Sequence, residues 1–149
     1  MKNITISLAK TTIFGNVGLN TAYLGAKTSG SPSSFEQVAT IAEDASLLSR
    51  FWLETCALVA DKLKEFISSS SLSDDNFSIT LNVSGNYDDS LTPAVKEEIH
   101  AAVVDGVTGR WFQYTGPQRA SVWIQNSAEC LERAVSKLCQ RRKPTRRNV

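Results

Sequence analysis

"YTGPQ" (Tyr114–Gln118) is the stretch on which the fold turns. Glycine ends helices readily, and proline's fixed φ suits the first position of a new one, so Gly116 and Pro117 mark a stop and a restart. Apolar residues recur at helical spacing on both sides. Val95, Ile99, Ala102, Val103, Val107, Trp111 and Phe112 precede the break; Val122, Trp123, Ser127, Cys130, Leu131, Ala134 and Leu138 follow it. Two long helices joined this tightly fold back on one another, so the pattern predicts an antiparallel helical hairpin. Thr92 and Pro93 read as the N-cap and first position of its first arm. Pro144 stops the second arm after about Arg141. Gly106 and Gly109 are unfavourable inside a helix, which implies close packing against a neighbour there.

Working outward, "DASLLSRFWLETCALVADKLKEFI" (Asp44–Ile67) carries an apolar stripe from Leu47 through Phe51, Trp52, Cys56, Val59 and Leu63 to Phe66 and Ile67. It predicts a third helix of about seven turns, opened by Glu43 and Asp44 near the positive end of its dipole. The serine-rich run Ser68–Asn76 ends it. "FSITLNV" (Phe77–Val83) alternates so that Phe77, Ile79, Leu81 and Val83 share one face of a strand, and "ITISL" (Ile4–Leu8) suits a shorter one. The glycine-, serine- and threonine-rich chain that follows, including "TSGSPSS" (Thr28–Ser34), reads as loop. The expected class is α+β: a bundle of three long helices, two of them the antiparallel hairpin, with a few short strands. Extended N- and C-terminal arms flank it. Residues 1–40 form an extended arm with short strands, 41–140 a helical core with strand 77–83, and 141–149 a basic tail.

The composition is that of one globular domain: 149 residues, 42% hydrophobic and 21% charged. No apolar run approaches the roughly 18 residues that span a bilayer. "MKNITISLAK" lacks the apolar segment of a signal peptide. Cys56, Cys130 and Cys139 form no C-x-x-C pair, which suits free thiols in a reducing compartment.

Charge is unevenly placed. The net charge is +1, yet Arg141, Arg142, Lys143, Arg146 and Arg147 alone carry +5. The preceding residues therefore hold eleven basic side chains against fifteen acidic ones, a net of −4. A domain that bound nucleic acid across its folded face would show basic residues elsewhere. Four of the five tail cations are arginines, which favours bidentate contacts with carboxylates or phosphates.

Signatures of catalysis are weak. His100 is the only histidine, beside Glu97 and Glu98, and has no spaced partner for a metal site. "GNVG" (Gly15–Gly18) lacks the G-K-[ST] ending of a phosphate loop. The doublets Asp74–Asp75 and Asp88–Asp89 lack the ligand density of a calcium loop and read as turn and cap residues. Phe51, Trp52, Trp111, Phe112 and Trp123 sit within apolar stripes, which assigns them to core packing rather than to base stacking. No catalytic residue, metal ligand or cofactor is assigned.

Two stretches together resemble a family. The Arg50-Phe51-Trp52 centre of the first long helix is one. The turn, helix and Arg110-Trp111-Phe112 end of the hairpin, leading to the Arg141–Arg147 terminus, is the other. They look like small proteins from the structural-gene blocks of tailed phages and prophages of Bacteroidetes. Their layout is similar to that of head–tail connector proteins, and the resemblance covers about residues 40–147. It implies a non-enzymatic virion protein of the neck, assembled in the host cytoplasm, whose copies ring beneath the portal and dock the next neck or tail component. Arg141, Arg142, Lys143, Arg146 and Arg147 are then the contacts to a partner, or to packaged DNA in the ring lumen. A nucleic-acid-binding module acting through its tail, or another tail or baseplate protein, are the alternatives.

Overall fold

The computed structural model describes residues 1–28 and 45–144. The chain is α+β. Strand β1 (Lys2–Ala9) runs directly into helix α1 (Lys10–Thr28). Helix α2 (Ala45–Lys62), strands β2 (Ile67–Leu72) and β3 (Asn76–Val83), a 3₁₀ turn (Asp89–Leu91) and helices α3 (Thr92–Thr115) and α4 (Pro117–Leu138) follow. The sheet has the order β1-β3-β2, antiparallel throughout.

The strand alternation decides which face is covered. Ile4, Ile6 and Leu8 of β1 and Phe77, Ile79, Leu81 and Val83 of β3 are buried under the helices. Asn3, Thr5 and Ser7 face solvent on the opposite side, where Ser7 and Ser78 hydroxyls lie 3.2 Å apart. Burying one face and solvating the other fixes the register, because a one-residue slip would invert both. Helix α3 is the hub, touching β1, α1, α2 and α4.

The hairpin is present, with α3 and α4 joined at the single residue Gly116. Its N–H donates to Phe112 O at 2.8 Å, and its φ of −162° is extended rather than left-handed. Glu98 of α3 meets Arg133 and Lys137 of α4, while Ser127 Oγ donates to Ala102 O at 2.7 Å, which shows the antiparallel sense. Both internal glycines sit at close approaches. A Cβ on Gly106 would lie 2.6 Å from Thr55 Cγ2, and one on Gly109 would lie 2.7 Å from Ile124 Cγ1. Thr92 and Pro93 are shifted by one position: Thr92 is already helical and the preceding Leu91 offers no side-chain cap. Instead Thr92 Oγ1 lies 3.3 Å from the Tyr87 hydroxyl.

Three expectations need correction. The described part of the 1–40 arm is not extended after β1, because Lys10–Thr28 is helical. Ile13, Val17 and Thr21 recur every four residues and are completely buried. That narrow stripe, docked on α3, overrides the poor propensity of the glycines and threonines around it. Four helices are therefore present among the described residues instead of three. Second, the long helix stops at Lys62 instead of running to Ile67, and the serine run, expected only to end it, contributes edge strand β2. Backbone pairing to β3 stabilises it where side-chain burial does not. Third, α4 ends at Leu138, and Val122, placed on its inner face, is 58% exposed; Ala120 takes the buried position. Glu43, Asp44 and the part of "TSGSPSS" after Thr28 lie outside the described residues.

Phe51, Trp52, Trp111 and Phe112 are buried, and Trp123 is half-buried against Phe112, with ring centroids 6.1 Å apart.

Candidate interaction site at the C-terminal tail

Beyond Leu138 the chain leaves α4 and lies along the loop that follows β3. Arg142 N–H donates to Asn86 O at 2.7 Å, and Arg141 forms an antiparallel bridge with Tyr87. Tyr87 is fully buried and so makes a fixed anchor. The side chains of Arg141, Arg142 and Lys143 are exposed, and none forms an ion pair among the described residues. Arg146 and Arg147 lie outside the described residues. The tail is thus held by its backbone and presents its cations outward, which a sequence cannot reveal.

Two features of this end were missed in the sequence. The first is Lys2. Its register opposite Val83 brings it to the loop, where Nζ reaches Asp89 Oδ2 at 2.7 Å and Tyr87 O at 3.4 Å. Lys2 lies 139 positions before Arg141, so only the β1–β3 pairing could have signalled the meeting. The second is the state of Asp88. Its Oδ1 accepts from Ser90 Oγ (2.6 Å) and Ser90 N–H (3.1 Å). Those bonds, helped by the charges of Arg142 and Lys2, hold its carboxyl below the usual range. Lys2 and Arg142 therefore act on carboxylates that are already engaged, and the exposed Arg141 and Lys143 beside Arg142 add positive charge at this end.

The other residues weighed for chemistry are dispersed. His100 is half-buried on α3, its Nε2 3.4 Å from Asn16 Nδ2 of α1. Gly15–Gly18 lies within α1, not in a loop. Asp75 lies in the β2–β3 turn, where Ser73 Oγ accepts from its N–H. Burial pushes the Cys56 thiol up to about 12, so it carries no thiolate near neutrality. Burial also raises Cys130. Cys139 is exposed just past α4. Among the described residues, no group of three His, Cys, Asp or Glu side chains is placed to hold a metal, and no helix is long and apolar enough to cross a membrane. A cleft of about 420 Å³ opens between α2 and α4, with Leu58 and Ile124 on its walls and Gly106 in its floor.

The hairpin carries two carboxylates in opposite situations. Burial pushes Glu98 up, but the hydrogen bonds and charges of Lys137 and Arg133 outweigh it and leave the carboxyl below its ordinary value. Asp105 has no such bonds. Burial raises it to about 6, opposed only by the charge of Arg133. A carboxyl raised in the folded state favours folding fully below its unfolded value of 3.8 and loses that contribution as pH climbs through about 6. Asp105→Asn is therefore expected to match the wild type near pH 4 and to exceed it above pH 7. After discounting for solvent access, the gain is about 1–2 kcal/mol, or several degrees in thermal melting. Melting curves at both pH values check this; equal stability at high pH would show that Asp105 is freely solvated.

Comparison of the chain with family models, with curated proteins and with solved structures returns no match.

Proposed function

We propose that this chain is a non-enzymatic structural subunit of a tailed-phage particle. Its copies form a ring at the head–tail junction beneath the portal, and the basic tail docks an adjacent neck or tail component. The observation that carries this reading is the construction of the tail. Its base is fixed by the Arg142–Asn86 hydrogen bond and the Arg141–Tyr87 bridge, while its cationic side chains remain exposed. A fixed base with free side chains suits an arm that orders further on contact, and arginines there suit carboxylates of a neighbour.

The cluster of Lys2, Arg141, Arg142 and Lys143 also supports a second reading, contact with DNA in the ring lumen or as a nucleic-acid-binding module. Salt separates the two. Neutralising up to five phosphates would give a slope of log affinity on log salt of about −4.5 for duplex DNA and about −3.5 for single-stranded DNA. Carboxylate pairing within a folded groove is screened less steeply.

Arg141→Gln/Arg142→Gln/Lys143→Gln keeps every backbone bond of the tail. It is expected to melt within about a degree or two of the wild type, since exposed charges contribute little to stability. Capture by a portal ring from the same phage should fall at least about tenfold with the loss of charge-assisted contacts. Undiminished capture by the variant would count against the tail as the docking element.

A further inference from the structure

The register of the sheet reveals which backbone groups remain unpaired. Asn82 N–H donates to Phe66 O at 2.6 Å, and Ser73 N–H donates to Asn76 O at 2.9 Å. Even-numbered residues of β3 thus direct their backbone groups toward β2, and odd-numbered ones toward β1. Lys10 N–H donating to Asp75 O at 2.9 Å continues the same alternation. Across the one-to-one register, Lys2, Ile4, Ile6 and Leu8 bond to β3. Asn3, Thr5 and Ser7 then turn their N–H and C=O groups to the outer edge of β1. On β2, Ser69 and Ser71 lie opposite Thr80 and Ser78, so Ser70 and Leu72 face outward.

Among the described residues, neither edge is guarded in the usual way. Proteins blunt exposed edges with charges, prolines, bulges or a covering element. β1 carries one charge, Lys2, at its end and already held by Asp89; β2 carries none, and neither strand contains proline. The single bulge of β2 lies at Ile67/Ser69, leaving Ser70–Leu72 regular. Among the described residues nothing pairs with either edge. Beside β1, the four consecutive residues Thr5–Leu8 line a trough of about 390 Å³, whose other wall is Lys96, Glu97 and His100 of α3. Four consecutive residues line one cavity only when it follows the strand's edge, so the trough gives room for another strand.

We propose that β1 of one copy pairs with β2 of the next, extending the sheet from subunit to subunit. This rests on the ring reading above and supplies its interface. A cyclic ring needs two different patches that fit each other, and the two ends of one sheet meet that need. Pairing β1 with β1 of a second copy would leave both β2 edges bare, whereas head-to-tail pairing in a closed ring leaves no bare edge. Both strands run antiparallel to β3, so a rotation that carries one subunit to the next pairs them in parallel.

Proline substitution tests this, because it deletes one outward N–H and leaves the bonds to β3 in place. Thr5→Pro and Ser70→Pro, each assayed alone and with the portal ring by mass photometry, are expected to weaken assembly at least about tenfold. Ser7→Pro repeats the β1 arm should Thr5→Pro lower the melting temperature. Mixing the Thr5→Pro and Ser70→Pro proteins should give a discrete heterodimer, since each retains the edge that the other lacks. Dimers of Ser70→Pro alone would establish β1–β1 pairing and overturn the proposal. Wild-type rings that both variants preserve would overturn edge pairing and leave the ring reading standing; a wild type that never assembles would remove both.

Discussion

Trp52→Ala is expected to lower the free energy of unfolding by about 3–5 kcal/mol. Trp52 is fully buried on α2, and its indole Nε1–H donates to Ser73 O at 3.2 Å, tying the helix to the end of β2. Truncation would remove the largest fully buried side chain and leave both a cavity and an unpaired carbonyl. Trp123, half-buried at the end of the hairpin, should lose no more than about half as much on the same substitution, because less of its surface leaves water on folding. Urea denaturation of the two variants checks the ordering. A loss below about 1 kcal/mol for Trp52→Ala would mean that α2 does not pack as described.

Gly109→Ala is expected to destabilise by about 1–3 kcal/mol, even though alanine is the better helix former by about 1 kcal/mol. The reason is distance. The new Cβ would lie 2.7 Å from Ile124 Cγ1 and 3.2 Å from the Ile124 backbone nitrogen, so α4 itself would have to move. Gly106→Ala meets Thr55 Cγ2 at 2.6 Å and Ser127 Oγ at 3.2 Å, both on buried side chains with little freedom to turn away. Gly15→Ala on α1 supplies the internal control, since nothing lies within 4 Å of its Cβ. There only the propensity term remains, and the change should stabilise by about 0.5–1 kcal/mol. Opposite signs at two helical glycines, measured by thermal melting, isolate the packing cost. Stabilisation at Gly109 would show that the hairpin is looser than these distances require.

The parts of the fold that rest on local chemistry were legible. The Gly116–Pro117 break, the hairpin around it and the alternation of Phe77–Val83 each depend on residues within a few positions of one another. The parts that rest on distant partners were not. Helix α1 has ordinary breakers along it, and its single buried residue per turn becomes meaningful only against α3. The serines of β2 are exposed nearly throughout, so only the hydrogen bonds to β3 make them a strand. A helical period that ran on to Phe66 and Ile67 hid the reversal after Lys62, since Phe66 packs on the core from a turn and Ile67 from the start of β2. At the candidate site, the sequence displayed the cations of the tail but not their anchor. Asn86 and Tyr87 are ordinary loop residues in the sequence, and their role as the bed for Arg141 and Arg142 follows from where α4 ends. The acidic doublets divided as well: Asp88 caps a turn, while its neighbour Asp89 holds Lys2.

The tail anchor also decides how the central claim must be tested. Cutting the chain before Arg141 would remove the bonds to Asn86 and Tyr87 along with the charge, and would confuse folding with docking. The direct measurement is mass photometry of the full chain and of a variant with Arg141, Arg142, Lys143, Arg146 and Arg147 all changed to Gln. Each is read alone and with the portal ring, at low and high salt. The account predicts a closed ring of one size for the wild type, formed unaided or on the portal, and a folded variant that no longer attaches to the portal. A wild-type monomer that ignores the portal, and binds duplex DNA at low salt through the same five residues, would contradict it.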